Sequence, residues 1–221
     1  YKRQIYRGIG FVSLVEVTNP SPMFYGIGGA PIASQDGATV RLDAAGALHV
    51  SSSVTEQGQG TNAILQQIAA DVFGVAIERV KVTTGDTKTV PYGGGTWASR
   101  GAGIGGEAML LASHALKEQV LDVAAVILQA KPEELDIAYG EVVTKDTGEQ
   151  KISLGDLAKI VYYRGNELPN DLQPELIATR HYRVTDFPFV FTNGAMAAHV
   201  EVDTNTGFIK ILHFWAVEAV S

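Results

Sequence analysis

Two glycine-rich segments carry the residue types that could bind a small molecule. Residues 56–62 have the sequence EQGQGTN, and residues 92–101 have the sequence YGGGTWASRG. Each precedes a segment with helical periodicity, where backbone N–H groups and the positive end of the helix dipole can face a ligand. Glycines let such a group approach the backbone closely, and the amides of Gln57 and Gln59 both donate and accept hydrogen bonds. This combination suits a neutral heterocycle or an oxo group better than a phosphate alone.

Both segments also have a purely structural interpretation. The first could be a tight turn between a strand and a helix, with Thr61 or Asn62 as the helix cap. The second could be a flexible surface loop, although Trp97 and Arg100 within it favour the wall of a ligand site. Neither segment is a nucleotide-binding motif. Residues 101–106 (GAGIGG) resemble the glycines of a dinucleotide site, but no acidic residue in a strand follows about 20 residues later, and no GK[ST] motif is present.

No set of catalytic or metal-ligating residues accompanies the two segments. The chain has no cysteine, which excludes thiolate metal sites, iron–sulfur ligation by this chain and a cysteine nucleophile. The five histidines show no HxH or HxxxH spacing; His199 and His213 could be cross-strand neighbours, with ordinary sheet histidines the favoured interpretation. Glu107, Glu118 and Asp122 are expected on the solvated face of a helix. The sequence therefore predicts no metal ligands and no catalytic dyad.

The elements around these segments alternate between strand and helix periodicity. Strands are predicted over 8–17, 38–42, 47–54, 80–84, 136–143, 177–184, 195–202 and 208–217. Helices are predicted over 61–73, over more than 20 residues ending before Lys131-Pro132, and over 154–163 with Ser153 as the N-cap. The strands over 38–42 and 47–54 should form a hairpin. Residues 47–84 should form a βαβ-like unit. We predict an α+β fold of mixed β-sheets with covering helices.

The same pattern suggests a division of the chain. Residues 1–35 would form a leading strand and an irregular arm, and residues 36–175 an α+β subdomain that holds both loops. Residues 176–221 would form terminal strands that complete this subdomain or bridge to a following one.

Composition limits the class of protein. A chain of 221 residues with 46% hydrophobic and 19% charged residues can bury a sizeable core and is not disordered. A net charge of −7 without a basic stripe argues against nucleic acid and anionic membranes as partners. No apolar run reaches 18 residues, so no membrane span is expected. No secretory signal is visible near Tyr1, which predicts a cytoplasmic protein, or a periplasmic one if a signal was removed.

The order of motifs resembles the xanthine dehydrogenase/aldehyde oxidase family, specifically its molybdenum-cofactor-binding large subunit or domain. The resemblance extends from about Gly8 to Val217. It rests on QGQG at 57–60, TGDT at 84–87, VPYG at 90–93, GTWASR at 95–100 and AHVEVD at 198–203. The glycine-rich second segment that ends in ASR is more similar to the aldehyde and carbon monoxide dehydrogenase branch than to xanthine-specific members.

This resemblance implies which residues line a molybdopterin-type molybdenum cofactor. In the family the first loop approaches the molybdenum centre and pterin, and the second surrounds the pterin and its phosphate tail. The cofactor-binding residues implied are Gly58, Gln59, Gly60, Thr61, Thr96, Trp97, Ala98, Ser99 and Arg100. The family's catalytic glutamate lies in a Gly-Glu motif beyond Ser221, and a further glycine-rich wall precedes Tyr1. The chain therefore resembles a central fragment of a longer subunit and carries no catalytic residue itself.

The function implied is that of an oxidoreductase acting on an aldehyde, an N-heteroaromatic compound or a related small substrate. Electrons would pass to 2Fe-2S clusters and FAD on partner subunits or domains, and the isolated fragment would be inactive. An alternative is a non-catalytic assembly domain whose glycine-rich loops dock a partner subunit. A third hypothesis, a complete small α+β enzyme, is disfavoured because the sequence shows no dyad or metal triad.

Overall fold

The computed structural model describes residues 4–26, 31, 33–172, 174–185 and 190–219. The strands are β1 (Ile5–Thr18), β2 (Gln35–Leu42), β3 (Leu48–Ser52), β4 (Val80–Thr84), β5 (Leu135–Ala138), β6 (Glu141–Thr144), β7 (Gln150–Ser153), β8 (Ile177–Arg183), β9 (Val190–Asp203) and β10 (Ile209–Ala219). The α-helices are α1 (Thr61–Phe73), α2 (Gly106–Leu128) and α3 (Leu154–Tyr163), and a π-helical turn, Gly101–Gly105, leads directly into α2. Helices combined with antiparallel and mixed sheets confirm the predicted α+β class.

Contacts divide the chain into two units. Residues 1–18 and 189–221 form the first, and residues 19–188 form the second. In the first unit, β9 pairs antiparallel with both β1 and β10 to make a three-stranded sheet. Residues far apart in the sequence therefore share one sheet. The division at 35/36 and 175/176 stays a prediction about domains.

The second unit contains a four-stranded sheet with the order β4-β3-β2-β8. Strands β2 and β3 form the predicted antiparallel hairpin, whose turn is closed by Asp43 Oδ1 accepting from the backbone N–H groups of Ala45 and Ala47, both at 2.9 Å. Strand β3 pairs parallel with β4, and α1 connects them, so the βαβ unit is also confirmed. This connection places the first glycine-rich loop between the end of β3 and the start of α1.

Helix α2 packs against α1 and against strands β2 and β8. The helical periodicity that predicts α1 and α2 corresponds to apolar faces that meet in one core. Its largest fully buried members include Phe73, Leu42, Leu48, Leu65, Met109 and Leu116. Helix α1 is followed by Gly74, which adopts the left-handed conformation common just after a helix. Ser153 is the N-cap of helix α3 as predicted, and its Oγ accepts from the N–H of Asp156 at 3.0 Å.

The predicted strand over 136–143 is wrong, because the structure has the two strands β5 and β6 there. They pair antiparallel and are joined by Tyr139 and Gly140, both with positive φ (54° and 76°). Two left-handed residues make the type I′ turn that suits a two-residue hairpin. Apolar residues lie on both sides of this turn, and tyrosine is not a residue typical of it, so the sequence pattern hides the break.

A further difference concerns one of the last strands. Strand β9 begins at Val190, five residues before the predicted start at Ala195. In the described ranges, no helix has the length and apolar character needed to cross a bilayer.

The buried face of α2 gives a matched test of this packing. Leu116 is fully buried and Leu111, on the same helix, is 42% exposed. Leu116→Ala should lower the free energy of unfolding by about 2–5 kcal/mol, because it removes transfer energy and leaves a cavity. Leu111→Ala should cost clearly less, as measured by urea denaturation. Equal losses from the two variants would contradict the described orientation of α2.

Candidate functional site

The first glycine-rich loop folds around the carboxylate of Glu56. Its Oε1 accepts from the N–H groups of Gly58 (2.7 Å) and Gly60 (3.1 Å), and its Oε2 accepts from that of Asn62 (3.0 Å). These hydrogen bonds, led by those from Asn62 and Gly60, lower the pKa of Glu56 below its ordinary value. The expectation of unpaired N–H groups here is wrong for these three residues, because the chain supplies its own carboxylate. Gly60, and neither Thr61 nor Asn62, is the N-cap residue of α1.

The side chain of Gln59 ties the first loop to its surroundings. Its Nε2 donates to the carbonyl of Thr55 (3.2 Å) and to Thr61 Oγ1 (2.8 Å), and its Oε1 accepts from the N–H of Gln57 (2.6 Å). Gly58 and Gly60 have φ of 99° and 90°, and a Cβ added to either would meet open space. The loop therefore has a backbone shape that favours glycine and leaves its backbone accessible to a flat group.

The second loop is joined directly to the first through two threonines. The N–H of Thr55 donates to Thr96 Oγ1 (2.7 Å), and the Thr96 hydroxyl donates to the carbonyl of Thr55 (2.9 Å). Because Thr55 also accepts from Gln59, one residue connects both predicted segments. The structure thus brings together loops that the sequence could only place separately.

The second loop also has an uncommon backbone. Ala98 and Ser99 both adopt left-handed conformations, with φ of 47° and 49°. Such conformations are costly for residues other than glycine, and they concentrate at functional sites. The π-helical turn Gly101–Gly105 follows at once, and π-bulges have the same association.

Arg100 lies inside the protein. It is fully buried, forms an ion pair with the equally buried Asp36, donates from Nη1 to the carbonyl of Ala33 (2.9 Å), and places its guanidinium carbon 5.2 Å from the centre of the Trp97 ring. Burial raises the pKa of Asp36 above its ordinary value, and the neighbouring guanidinium opposes this shift. Burial likewise lowers the pKa of Arg100, opposed by Asp36. The positive charge is therefore neutralised within the fold.

Asp36 connects strand β2 with the start of the second loop. Its Oδ1 accepts from Ser53 Oγ (2.7 Å) and from the N–H of Gly94 (3.1 Å). A Cβ on Gly93 would overlap Ser53 Oγ, and a Cβ on Gly94 would overlap the Arg100 guanidinium. These two glycines are therefore required by close packing.

A cavity of about 480 Å³ lies beside the loops. It is lined by Ser53, Thr55, Gly85, Thr87, Val90, Pro91, Tyr92, Gly93, Gly94 and Gly95. Residues of the TGDT and VPYG motifs therefore line the same cavity as Thr55 and Gly95. Thr55 precedes the predicted binding residues of the first loop, and Gly95 precedes those of the second. Thr55 joins this lining to Thr96 and Gln59.

Sequence reasoning assigned no role to four of the residues that shape this region. Asp36 directly follows the predicted irregular arm, and Ser53 and Thr55 lie where a predicted strand ends, so no local pattern assigns them a role. Glu56 adjoins the QGQG motif, and a carboxylate close to a helix start is the one signal that could have indicated its position.

The carboxylates and histidines considered in the sequence analysis lie outside the two loops. Glu107, Glu118 and Asp122 are exposed on α2, as expected. In the first unit, His199 and His213 are cross-strand neighbours with ring centres 5.9 Å apart. Across the described part of the chain, no three histidine or carboxylate side chains converge as metal ligands would.

Comparison with known proteins identifies the family. Residues 1–221 match the family described as the molybdopterin cofactor-binding domain. The chain belongs to this family. This family match confirms the resemblance to the xanthine dehydrogenase/aldehyde oxidase family that the loop motifs indicated.

Individual relatives agree with this assignment. The domain is 33% identical over 213 residues to the nicotine 6-hydroxylase large subunit of Paenarthrobacter nicotinovorans, covering 96% of this chain and 26% of the relative. It is 30% identical to the carbon monoxide dehydrogenase large chain of Hydrogenophaga pseudoflava, again over 96% and 26%. The crystal structure of quinoline 2-oxidoreductase from Pseudomonas putida 86 matches with a TM-score of 0.77 and 34% identity, over 98% of this chain and 27% of that one. The domain thus spans about a quarter of the length of these proteins.

The hydrogen bonds of Glu56 predict a pH-dependent first loop. Because its folded pKa is lowered, ionised Glu56 stabilises the loop above its unfolded pKa, and this stabilisation is lost as the pH falls through the folded pKa. At neutral pH, Glu56→Gln should reduce the hydrogen-exchange protection of Gly58, Gly60 and Asn62 several-fold. Glu118→Gln on α2 is the control. Unchanged protection in the Glu56 variant would contradict this role.

Proposed function

We propose that this chain supplies two walls of a molybdopterin-type molybdenum cofactor site in an oxidoreductase. The observation that carries the proposal is the reciprocal pair of hydrogen bonds between Thr55 and Thr96, since it joins the two loops that the family resemblance assigns to the cofactor. The site residues proposed are Gly58, Gln59, Gly60, Thr61, Thr96, Trp97, Ala98 and Ser99. Family membership supports this assignment.

The donor set fits such a group. The carboxylate of Glu56 is hydrogen-bonded to the backbone and the charge of Arg100 is paired, so the side chains proposed for the site are an amide, hydroxyls and an indole. Neutral donors and acceptors of this kind can match the polar edge of a pterin. The open space beside Gly58 and Gly60 allows a flat ring to approach the backbone.

Each part of the site has a role that follows from its position. Gly58 and Gly60 would let the ring approach, and the amide of Gln59 and the hydroxyl of Thr61 would orient it. Thr96 would hold the two loops at a constant separation. When bound, the cofactor supplies the two-electron oxidation of a substrate carbon with oxygen derived from water, and the protein supplies binding and orientation.

We propose an N-heteroaromatic compound, an aldehyde or a related small molecule as the substrate. Two of the similar proteins are named for nicotine and quinoline, both N-heterocycles, which favours that class. The catalytic base is proposed to lie outside this chain, because the carboxylate nearest the loop, Glu56, already accepts three backbone hydrogen bonds. Electrons would leave through 2Fe-2S and FAD groups on partner subunits or domains.

Variants of the two loops test the cofactor assignment. Thr96→Val removes both hydrogen bonds to Thr55 and should cost about 1–3 kcal/mol of unfolding free energy, because it leaves polar groups of Thr55 unpaired. In the purified holoprotein, this variant and Gln59→Ala should each lower the molybdenum and pterin content several-fold. Thr83→Val, an exposed change on β4, is the matched control.

Two results would count against the assignment. Normal molybdenum and pterin content in both loop variants would contradict a cofactor wall. If subunit assembly were lost at the same time, as judged by size-exclusion chromatography, the loops would dock a partner subunit instead.

A direct prediction concerns the 221-residue chain alone. It should show no turnover of aldehydes, purines or N-heteroaromatic compounds with an artificial dye acceptor, since the proposed base and electron relay are elsewhere. The measurement is dye reduction by the purified chain after incubation with molybdopterin cofactor. Turnover above that of a heat-denatured sample would show that the chain is sufficient.

A further inference from the structure

We propose that Asp36 and Arg100 are positioning residues that hold the second loop in its binding conformation through contacts on the buried side of the loop. Arg100 would then act through its neighbours and would not contact the cofactor, although the family resemblance includes it among the cofactor-lining residues. The statement about loop shape stands on the structure alone, and the statement about the cofactor rests on the proposed function.

Burial and contacts support this role. Arg100 and Asp36 have no exposed side-chain surface, and the guanidinium is directed at the carboxylate, the Ala33 carbonyl and the face of Trp97. A side chain enclosed in this way is poorly placed to reach a ligand in the cavity. A planar guanidinium is well suited to this position, because it can pair with a carboxylate and stack on an aromatic ring at the same time.

The energetics of the pair favour a positioning role over a purely stabilising one. Removing two charges from water carries a large desolvation cost, and well-packed apolar residues often serve stability equally well or better. A buried pair can nevertheless specify one geometry, since each partner tolerates few alternatives. For this chain, the geometry specified is that of the second loop.

The pair attaches the loop at both of its ends. Asp36 accepts from the N–H of Gly94 at the start, and Arg100 is itself the last residue before the π-helical turn. The residues between these attachments include Thr96, which reaches the first loop, and the left-handed Ala98 and Ser99. Backbone strain persists only where the surroundings determine it. Fixing both ends provides that constraint.

Close packing restricts the loop further. Neither Gly93 nor Gly94 has room for a Cβ, because the overlapping groups are Ser53, Asp36 and Arg100. The attachment and the glycines therefore form one unit, in which the loop lies directly on the ion pair. Ser53 also lines the cavity, so the support and the wall are adjacent.

The test compares Asp36→Asn with Asp122→Asn, a change of the same kind at an exposed position on α2. The readouts are hydrogen exchange over residues 94–99 and the fluorescence of Trp97 in a Trp215→Phe background. Asp36→Asn should speed exchange over 94–99 by about tenfold or more, since it weakens charge-assisted contacts to the loop. It should also shift the Trp97 emission, because Arg100 loses its partner. The control should change neither.

Two further variants separate loop position from stability. Asp36→Asn leaves a buried cation alone, which lowers stability throughout. The double variant Asp36→Asn/Arg100→Met removes that cation and should recover the midpoint of thermal unfolding while exchange over 94–99 stays fast. Arg100→Lys keeps the charge but loses the planar group, and should give a smaller acceleration over the same residues.

The outcomes distinguish this inference from the proposed function. Exchange over 94–99 that recovers together with thermal stability in the double variant would overturn the positioning role. A fast loop with normal pterin content would overturn its connection to the cofactor, provided that Gln59→Ala lowers that content. If Gln59→Ala and Thr96→Val also leave the content normal, the proposed function fails, and the exchange data still decide the role of the pair.

Discussion

The buried ion pair of Asp36 and Arg100 is the interaction on which the site depends. Asp36 belongs to strand β2, in the centre of the four-stranded sheet, and Arg100 ends the second loop. Through Ser53 the same carboxylate reaches the end of β3, from which the first loop departs. The hydrogen bonds between Thr55 and Thr96 then join the two loops to each other. The rigid sheet thereby determines the shape of two segments that have little regular structure of their own.

A second consequence concerns the charge that the loops present to a ligand. The two charged side chains within the loops are compensated internally, the carboxylate of Glu56 by backbone N–H groups and the guanidinium of Arg100 by Asp36. What remains for a ligand is a surface of amide, hydroxyl and backbone groups, which select by shape and hydrogen-bond pattern more than by net charge. A ligand with a phosphate tail would therefore need its strongest cationic partners from other parts of the protein.

Local signals predicted most of the elements. The helical periodicity of α1 and α2, the hairpin of β2 and β3, and the βαβ unit follow from neighbouring residues, and the loop motifs identified the family. The turn at Tyr139 was missed because tyrosine is not typical of a two-residue hairpin turn and apolar residues flank it on both sides. The pairing of Asp36 with Arg100, and of Thr55 with Thr96, could not be predicted, since such contacts depend on the tertiary arrangement of distant segments. The complete burial of Arg100 has no local signal in the sequence for the same reason.

The pairing of β1 with β9 has a consequence for how the protein is made. In the sequence, the whole of the second unit separates strand β1 from its partner β9. The hydrogen bonds between the two strands therefore cannot form until residues 190–203 have left the ribosome. Contacts of such sequence separation form slowly. During that interval the backbone N–H and C=O groups of β1 lack their partner strand. Synthesis of this protein therefore includes an interval, set by the length of the second unit, in which an unpaired strand can pair with another chain.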